Sequence, residues 1–286
     1  MTQEAGLNAA TLAALIVLIR KHTGISISEK KSILLERRLR PRLQALALDN
    51  YHDYLSRLER DVNEVPYFID MVTTNDTLFF RTPQIWKFFA AQFLPQWTRQ
   101  HPGECLRIWS AASASGEEVY SIAMLCAEFQ RLIKGFHYQI LGTDISQSML
   151  ATATVGVYAG RSVERVKESH PQLFQKYFSA VAGGVKVSDE LKQFVSFSPH
   201  NLLSSLRSAK KFDIVFLRNV LIYFDVEHQQ KVLANVLHSM KPQARLVVGE
   251  SDSIGHMNTR YQLELPLVYR INNDMLNDEH LQGAAA

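Results

Sequence analysis

Four short polar clusters, each following an apolar run, carry the chemistry this chain can offer. They are Ser110-Ala111-Ala112-Ser113-Ala114-Ser115-Gly116-Glu117-Glu118, Gly142-Thr143-Asp144, Asn201-Leu202, and Arg218-Asn219 with Tyr223 about one helical turn further on. The first cluster is built from small side chains, which let a backbone approach a ligand closely. It ends in paired carboxylates where a helix should begin, and carboxylates that already occupy the positive end of a helix oppose a pyrophosphate there. The G-x-G-x-x-G turn of a dinucleotide site is absent as well. A sulfonium cofactor, cationic and bearing an α-amino group, suits an acidic loop. Dipole stabilisation of the helix would by itself also account for the two glutamates. Asp144 stands where a carboxylate could accept both hydroxyls of a ribose, or cap the next helix. Taken singly, each cluster is what a loop cap looks like. The informative pattern is four strand ends meeting at one crevice, since open α/β sheets bind ligands beyond the carboxyl ends of their strands.

The elements that must position these clusters are legible from periodicity. From Leu106 onward, short apolar runs alternate with helical patterns: Leu106 to Trp109, Tyr138 to Gly142, Phe194 to Phe197, Phe212 to Leu217 and Arg245 to Val248. Amphipathic stretches at Val119 to Ile133, Ser146 to Thr154 and Glu227 to Met240 lie between them, the last stopped by Lys241-Pro242. This alternation predicts a parallel sheet with crossover helices. The gap from Tyr158 to Val195 is too long for one crossover. Its helical stretch around Gln172 to Phe178, followed by Gly183-Gly184 between alternating runs, predicts a small hairpin-bearing insertion. From Leu7 to about Phe80 every periodic segment reads as helix, with Leu12, Leu15, Ile16 and Ile19 on one face, and with Tyr51 to Leu58 and Val65 to Val72 as further members. Pro41 falls inside the second helical pattern, where it should kink or end it.

Bulk properties exclude several classes. At 286 residues the chain fits one large domain with a smaller partner, and 47% hydrophobic with 21% charged residues is ordinary globular composition. A formal charge of +3 is far from the field of a dedicated nucleic-acid binder. There is no basic leader with a cleavage site and no run of eighteen apolar residues, so the chain reads as cytoplasmic. Cys105 and Cys126 read as free thiols, not as metal ligands or a disulfide. The tail Gln282-Gly283-Ala284-Ala285-Ala286 reads as frayed.

With these clusters in place, the chain resembles the CheR family of chemotaxis receptor methyltransferases over nearly its whole length. The resemblance is carried by Thr74-Asn75-Asp76-Thr77-Leu78-Phe79-Phe80-Arg81, by Trp109-Ser110-Ala111-Ala112 with Ser115-Gly116-Glu117-Glu118 and Tyr120-Ser121-Ile122-Ala123, by Thr143-Asp144-Ile145, by Asn201-Leu202-Leu203, and by Arg218-Asn219-Val220-Leu221-Ile222-Tyr223-Phe224. It implies an α/β, Rossmann-like class I S-adenosylmethionine-dependent methyltransferase domain, with an N-terminal helical domain and a small inserted antiparallel β-subdomain. The expected bounds are 1–80 for the helical domain and linker, 81–286 for the methyltransferase domain, and 170–198 for the insertion.

The resemblance further implies that Asn75, Thr77 and Arg81 close over the cofactor. Ala112, Glu118, Asp144, Asn201, Leu202, Arg218 and Asn219 would line its pocket, and Arg81 with Tyr223 would lie nearest the transferred methyl. The implied activity is methylation of glutamates in the cytoplasmic region of membrane chemoreceptors, with S-adenosylhomocysteine as product, no metal and no nucleic-acid partner. Contact with the membrane would run only through the receptor. A glutamate side chain, with a reference pKa of about 4.3, is already an anion at neutral pH and needs positioning more than a base. Arg81 is accordingly expected to orient the acceptor, or else to bond backbone carbonyls between the domains. The basic stretch Lys30, Lys31, Arg37, Arg38, Arg40 and Arg42 is expected to dock an acidic receptor helix; a solvated helix face with Glu29 and Glu36 as partners is the plainer alternative.

The chain departs from the family pattern in four places. Val119 replaces a usual proline, Gly249-Glu250-Ser251-Asp252 replaces a usual Gly-x-Ser-Glu, Pro41 falls within the basic helix, where it would alter the docking surface, and the hairpin loop Ala182-Gly183-Gly184 is short. The short loop leaves open whether a receptor's C-terminal peptide is gripped there, as some family members do. Rival readings are a methyltransferase for nucleic acid or small molecules, whose amino-directed forms carry an Asn/Asp-Pro-Pro-aromatic motif absent here, and a cofactor-sensing module without turnover. A nicotinamide-dependent oxidoreductase lacks its glycine fingerprint.

Overall fold

A computed structural model describes residues 7–272; the expected frayed tail at 282–286 and the outer ends of the expected domains lie outside them. Four helices come first: α1 (Ala9–Thr23), α2 (Ser32–Ala45), α3 (Tyr51–Arg60) and α4 (Val65–Val72). The Asn8 side chain caps α1 by accepting from the Thr11 N–H at 2.8 Å, and Gly24 ends it in the left-handed region at φ 76°. Leu12, Leu15 and Ile19 project from one face of α1 into a core shared with Leu35, Leu39 and Leu43 of α2, Tyr54 of α3, and Phe68 and Val72 of α4. Buried Glu64 is held in that unit by Nε and Nη2 of Arg42, which donate to its two oxygens at 2.7 Å each, and by the Tyr54 hydroxyl.

Pro41 does not end α2, which runs through it to Ala45. The N–H that proline lacks would have donated to the Arg37 carbonyl, but Pro41 and Arg37 lie on the exposed side of the helix, where water can serve that acceptor, and buried Leu39 and Leu43 anchor the helix on either side of the proline.

A linker leads into α5 (Pro83–Phe88) and α6 (Leu94–Gln100), joined by a π-helical turn, Phe89–Phe93. Then follow β1 (Cys105–Ser110), α7 (Glu117–Leu132), β2 (His137–Asp144), α8 (Gln147–Val155), β3 (Val157–Tyr158), α9 (Arg161–Ser169), α10 (Pro171–Tyr177), β4 (Phe178–Val181), β5 (Gly184–Val187), α11 (Asp189–Lys192) and β6 (Val195–Pro199). The chain closes with β7 (Phe212–Leu217), α12 (Val226–His238), β8 (Met240–Val248), β9 (Tyr261–Leu265) and β10 (Val268–Ile271). The main sheet has the order β6-β2-β1-β7-β8-β10-β9. Strands β6, β2, β1, β7 and β8 run parallel, and β10 and β9 are antiparallel additions at one edge. The order reverses at β1, where β2 lies on one side and β7 on the other, so the crevice beyond these strand ends is the expected ligand position. Helices cover both faces: α5 to α7 pack with Ile108 and Phe216 on one side, and α12 packs with Val215 and Leu246 on the other.

Three features differ from the periodicity reading. β8 begins at Met240, well before Arg245, because a register shift opposite Phe212 and Ile214 accommodates Pro242. The β9–β10 hairpin is not evident from pattern, since Leu263 and Leu265, which would mark a buried face, are exposed. The small sheet, ordered β3-β5-β4, starts at Val157 and ends at Val187, while β6 within the expected insertion belongs to the main sheet. Cys105 and Cys126 are free thiols, the latter buried in α7. Among the described residues no helix is long and apolar enough to cross a membrane.

Candidate active site

The loop after β1 folds back on the ends of its neighbours. Ala111 N–H donates to the Phe216 carbonyl, Ser113 N–H donates to the Thr143 carbonyl at 2.9 Å, and Ala114 turns at φ 44°. Gly116 continues the turn at φ 94°; a Cβ there would sit 2.8 Å from the Cβ of Ala153, so this position needs glycine for both reasons. The loop delivers Glu117 and Glu118 to the first turn of α7, both buried. Glu118 accepts the Ser110 hydroxyl at 2.7 Å and Arg218 Nη1 at 2.8 Å. Arg218 then reaches the linker, donating from Nη2 to the Arg81 carbonyl at 2.9 Å. Burial raises the pKa of Glu117 from its ordinary value, against hydrogen bonds from Ser115 and Ser162.

Asp144 ends β2 with its carboxylate accepting the N–H groups of Ala114 and Ser146, at 2.8 and 2.9 Å. Burial raises its pKa, and these backbone donors oppose the shift. After β7, Asn219 adopts φ 55°, a conformation asparagine tolerates, and its N–H donates to Asp252. Asp252 also accepts the Gly249 N–H at 3.0 Å, and a Cβ on Gly249 would lie 2.6 Å from the Asn219 nitrogen. After β6, the Asn201 side chain accepts from Leu203 N–H and donates to the His22 carbonyl of α1, at 3.0 and 2.9 Å.

The N-terminal helices close the crevice. Ser26 N–H donates to the Tyr223 carbonyl at 2.8 Å, and Ile25 forms a β-bridge with Phe224. The linker is fixed at both ends: Arg38 donates to the Val72 carbonyl and the Thr74 hydroxyl, each at 2.8 Å, and Phe80 N–H donates to the Ser121 hydroxyl at 3.0 Å. Arg81 donates to the Asp76 carbonyl at 3.0 Å, a backbone partner within the linker itself.

Asn75, Thr77, Arg81, Ala112, Glu118, Asp144, Asn201, Leu202, Arg218, Asn219 and Tyr223 therefore line one cleft. Sequence reasoning missed several other walls of it, among them Thr23, Ile25 and His200. It named Asp252 only as a departure from a family motif and did not assign it to the site, where it accepts the Asn219 N–H from behind. Thr23 and Ile25 carry no motif, and only their place just after the first helix could have drawn attention. His200 has a buried Nε2 without a partner, and burial lowers its pKa.

None of Lys30, Lys31, Arg37, Arg38, Arg40 and Arg42 lines the cleft; they lie on the turn Glu29–Lys31 and on α2. Arg42 is committed to Glu64, with its guanidinium 3.9 Å from the Tyr67 ring centre, and Arg38 holds the linker. Both are structural cations, because each satisfies buried or partly buried acceptors that would otherwise stand alone. Lys30, Lys31, Arg37 and Arg40 are exposed.

The lining fits an adenosyl sulfonium. The carboxylates of Glu118 and Asp144 line the cleft, the start of α7 is filled by Glu117 and Glu118 and not open to phosphate, and small residues leave the backbone accessible. No group of His, Cys, Asp and Glu suited to holding a metal occurs among the described residues.

Residues 75–266 match the family model described as CheR methyltransferase, SAM binding domain, and residues 10–73 match the CheR methyltransferase all-alpha domain. The chain is 34% identical over 281 residues to the chemotaxis protein methyltransferase of Escherichia coli strain K12, covering 96% of this chain and 95% of that one. It is 35% identical over 271 residues to the chemotaxis protein methyltransferase of Borreliella burgdorferi, covering 91% and 94%.

Proposed function

Because the chain belongs to the CheR family of S-adenosylmethionine-dependent methyltransferases, we propose that it esterifies glutamate side chains in the cytoplasmic region of membrane chemoreceptors, in the cytoplasm, for sensory adaptation. The observation that carries this reading is the placing of Arg81 and Tyr223 in the same cleft as Glu118 and Asp144. A cation able to hold an acceptor carboxylate thereby shares a cavity with acidic groups suited to a cationic cofactor.

When bound, S-adenosylmethionine supplies a methyl carried on positively charged sulfur. The acceptor would take that methyl as the carboxylate anion, so this chain's residues would have no proton to move. The protein's work is therefore binding and alignment, a contribution of about 7–11 kcal/mol when geometry is well held. Asp144 keeps lone pairs for ribose hydroxyls, and its orientation is locked by the two backbone donors. Glu118, braced by Ser110 and Arg218, faces the cleft with its charge partly balanced. Leu202 offers an apolar surface for a base, while Asn75, Thr77, Ala112, Asn201 and Asn219 complete the wall. Arg81 positions the acceptor carboxylate, and Tyr223 bounds the position of the transferred methyl. Lys30, Lys31, Arg37 and Arg40 form the docking face for an acidic receptor helix, steering it electrostatically.

The test is transfer of radiolabelled methyl from S-adenosylmethionine to receptor-enriched membranes with wild type and Arg81→Ala. Base-labile label on a receptor, reduced at least about tenfold in the variant, is expected for loss of one charge-assisted contact. Cofactor binding with no label on any receptor would exclude the receptor assignment.

A further inference from the structure

Beside the cleft, which Arg81 and Arg218 line, stands a third arginine that the family motifs do not include. Arg161, the first residue of α9, donates from Nη2 to Asp76 Oδ1 at 2.6 Å. The other oxygen of the same carboxylate lies 3.8 Å from Arg81 Nη1. Asp76 lines the cleft, so its side chain places a carboxylate between two guanidinium groups at the entrance. The backbone that carries Arg161 is fixed. Gly160, at φ 66°, turns the chain into α9, the neighbouring Ser162 hydroxyl donates to Glu117 at 3.3 Å, and Tyr158 donates to the Ser115 carbonyl at 2.7 Å. The start of α9 is thus pinned to the loop that carries Glu118.

We infer that Arg81 and Arg161 together form the clamp for the acceptor carboxylate, and that the Asp76 side chain is a built-in placeholder which the substrate glutamate displaces. Asp76 and glutamate present the same group on side chains differing by one methylene. Two planar forks meeting one carboxylate fix its plane as well as its position, which in-line transfer requires. The Asp76–Arg161 pair is 58% and 70% exposed, and pairs so exposed are weak enough to exchange. Displacing the Asp76 side chain leaves the Arg81 hydrogen bond to the Asp76 backbone carbonyl in place, so Arg81 stays oriented throughout. Arg161 is a specificity-determining residue in this scheme, and Asp76 a positioning residue that keeps both cations paired until substrate arrives. The inference rests on the glutamate reading proposed above.

The experiment is steady-state methylation of receptor-enriched membranes by the full chain, comparing wild type with Arg161→Gln, Arg161→Lys and Asp76→Asn, with cofactor Kd measured by calorimetry for each. Arg161→Gln is expected to raise KM for receptor about tenfold at unchanged cofactor Kd, as loss of a charge-assisted contact does. Arg161→Lys, which keeps the charge without the fork, should recover part of that loss. Asp76→Asn, which removes the competing carboxylate, should lower KM about two- to fivefold with little change in kcat. An unchanged KM in Arg161→Gln, or a raised KM or reduced kcat in Asp76→Asn, overturns the clamp while leaving glutamate methylation intact. Absence of base-labile label with the wild type overturns the glutamate reading, and the clamp with it.

Discussion

Glu118→Ala is the substitution whose cost the structure defines most directly. The Arg218 side chain is 3% exposed and its ion pair with Glu118 is made at 2.8 Å, with the carboxylate itself 10% exposed. Removing the carboxylate leaves a buried guanidinium whose other contacts are the Arg81 carbonyl and the Trp86 ring, 5.6 Å from its centre; Nε already lacks a partner. Breaking a buried pair on one side costs about 3–5 kcal/mol. At about 2–4 °C per kcal/mol for a chain of this size class, the melting temperature should fall by about 6–20 °C. Glu118→Gln keeps one acceptor oxygen and should cost less, about 1.5–3 kcal/mol. The assay is urea and thermal unfolding of the single variants beside the double variant Glu118→Leu with Arg218→Met. The double variant should be more stable than Glu118→Ala, since it removes the orphaned charge. If Glu118→Ala unfolds within about 1 kcal/mol of wild type, or the double variant loses the full sum of both single changes, the pair is not buried in the way the hydrogen-bond network requires.

Gly249→Ala should weaken cofactor binding about tenfold or more by pushing Asn219 off its position, with Gly255→Ala, which meets nothing within 4 Å, unchanged in the same calorimetric titration. Ser26→Pro removes the N–H donated to the Tyr223 carbonyl and should lower cofactor affinity about threefold, on the order of one hydrogen bond; equal affinity would mean that this contact does not hold the cleft closed. Burial depresses the pKa values of His22, His170 and His200 below the ordinary 6.5, with Lys21 adding to the effect at His22. The unfolded chain therefore takes up these protons first, and the stability held above pH 6.5 should be lost as pH falls below it. Urea midpoints should drop between pH 7.5 and pH 5.5, with a shallower slope in His200→Asn; a flat profile across that window would contradict the burial of these rings.

Strand tips were readable because each couples an apolar run to a polar residue type that the crevice demands, as at Thr143-Asp144 and Arg218-Asn219. The helical N-terminal region was readable for a similar reason, since Leu12, Leu15 and Ile19 repeat at helical spacing. What escaped was set by partners distant in sequence. Arg42 looks like one more surface cation until Glu64, 22 residues on, is seen to hold it. Asp252 stands in the Gly249-Glu250-Ser251-Asp252 segment that the family pattern marks, but that pattern does not tell that its carboxylate orders a strand end 33 residues away through the backbone N–H groups of Gly249 and Asn219. Strands β9 and β10 were missed because an edge hairpin need not bury every apolar side chain, and Leu263 and Leu265 do not. Thr23 and Ile25 became visible as cleft walls only when α1 was seen to end over Tyr223 and Phe224.

That last arrangement bears on how such proteins can be recombined. The two family modules meet near residues 73–75, which invites exchange of one relative's helical half for another's at that seam. Yet Ser26 N–H, the His22 carbonyl and Ile25 from one module are matched to Tyr223, Asn201 and Phe224 of the other. A chimaera cut at the linker inherits a cavity whose halves come from different parents, and hybrids should turn over only where the donor's turn after the first helix reproduces these three matches. The unit of inheritance for this site is the pair of modules together.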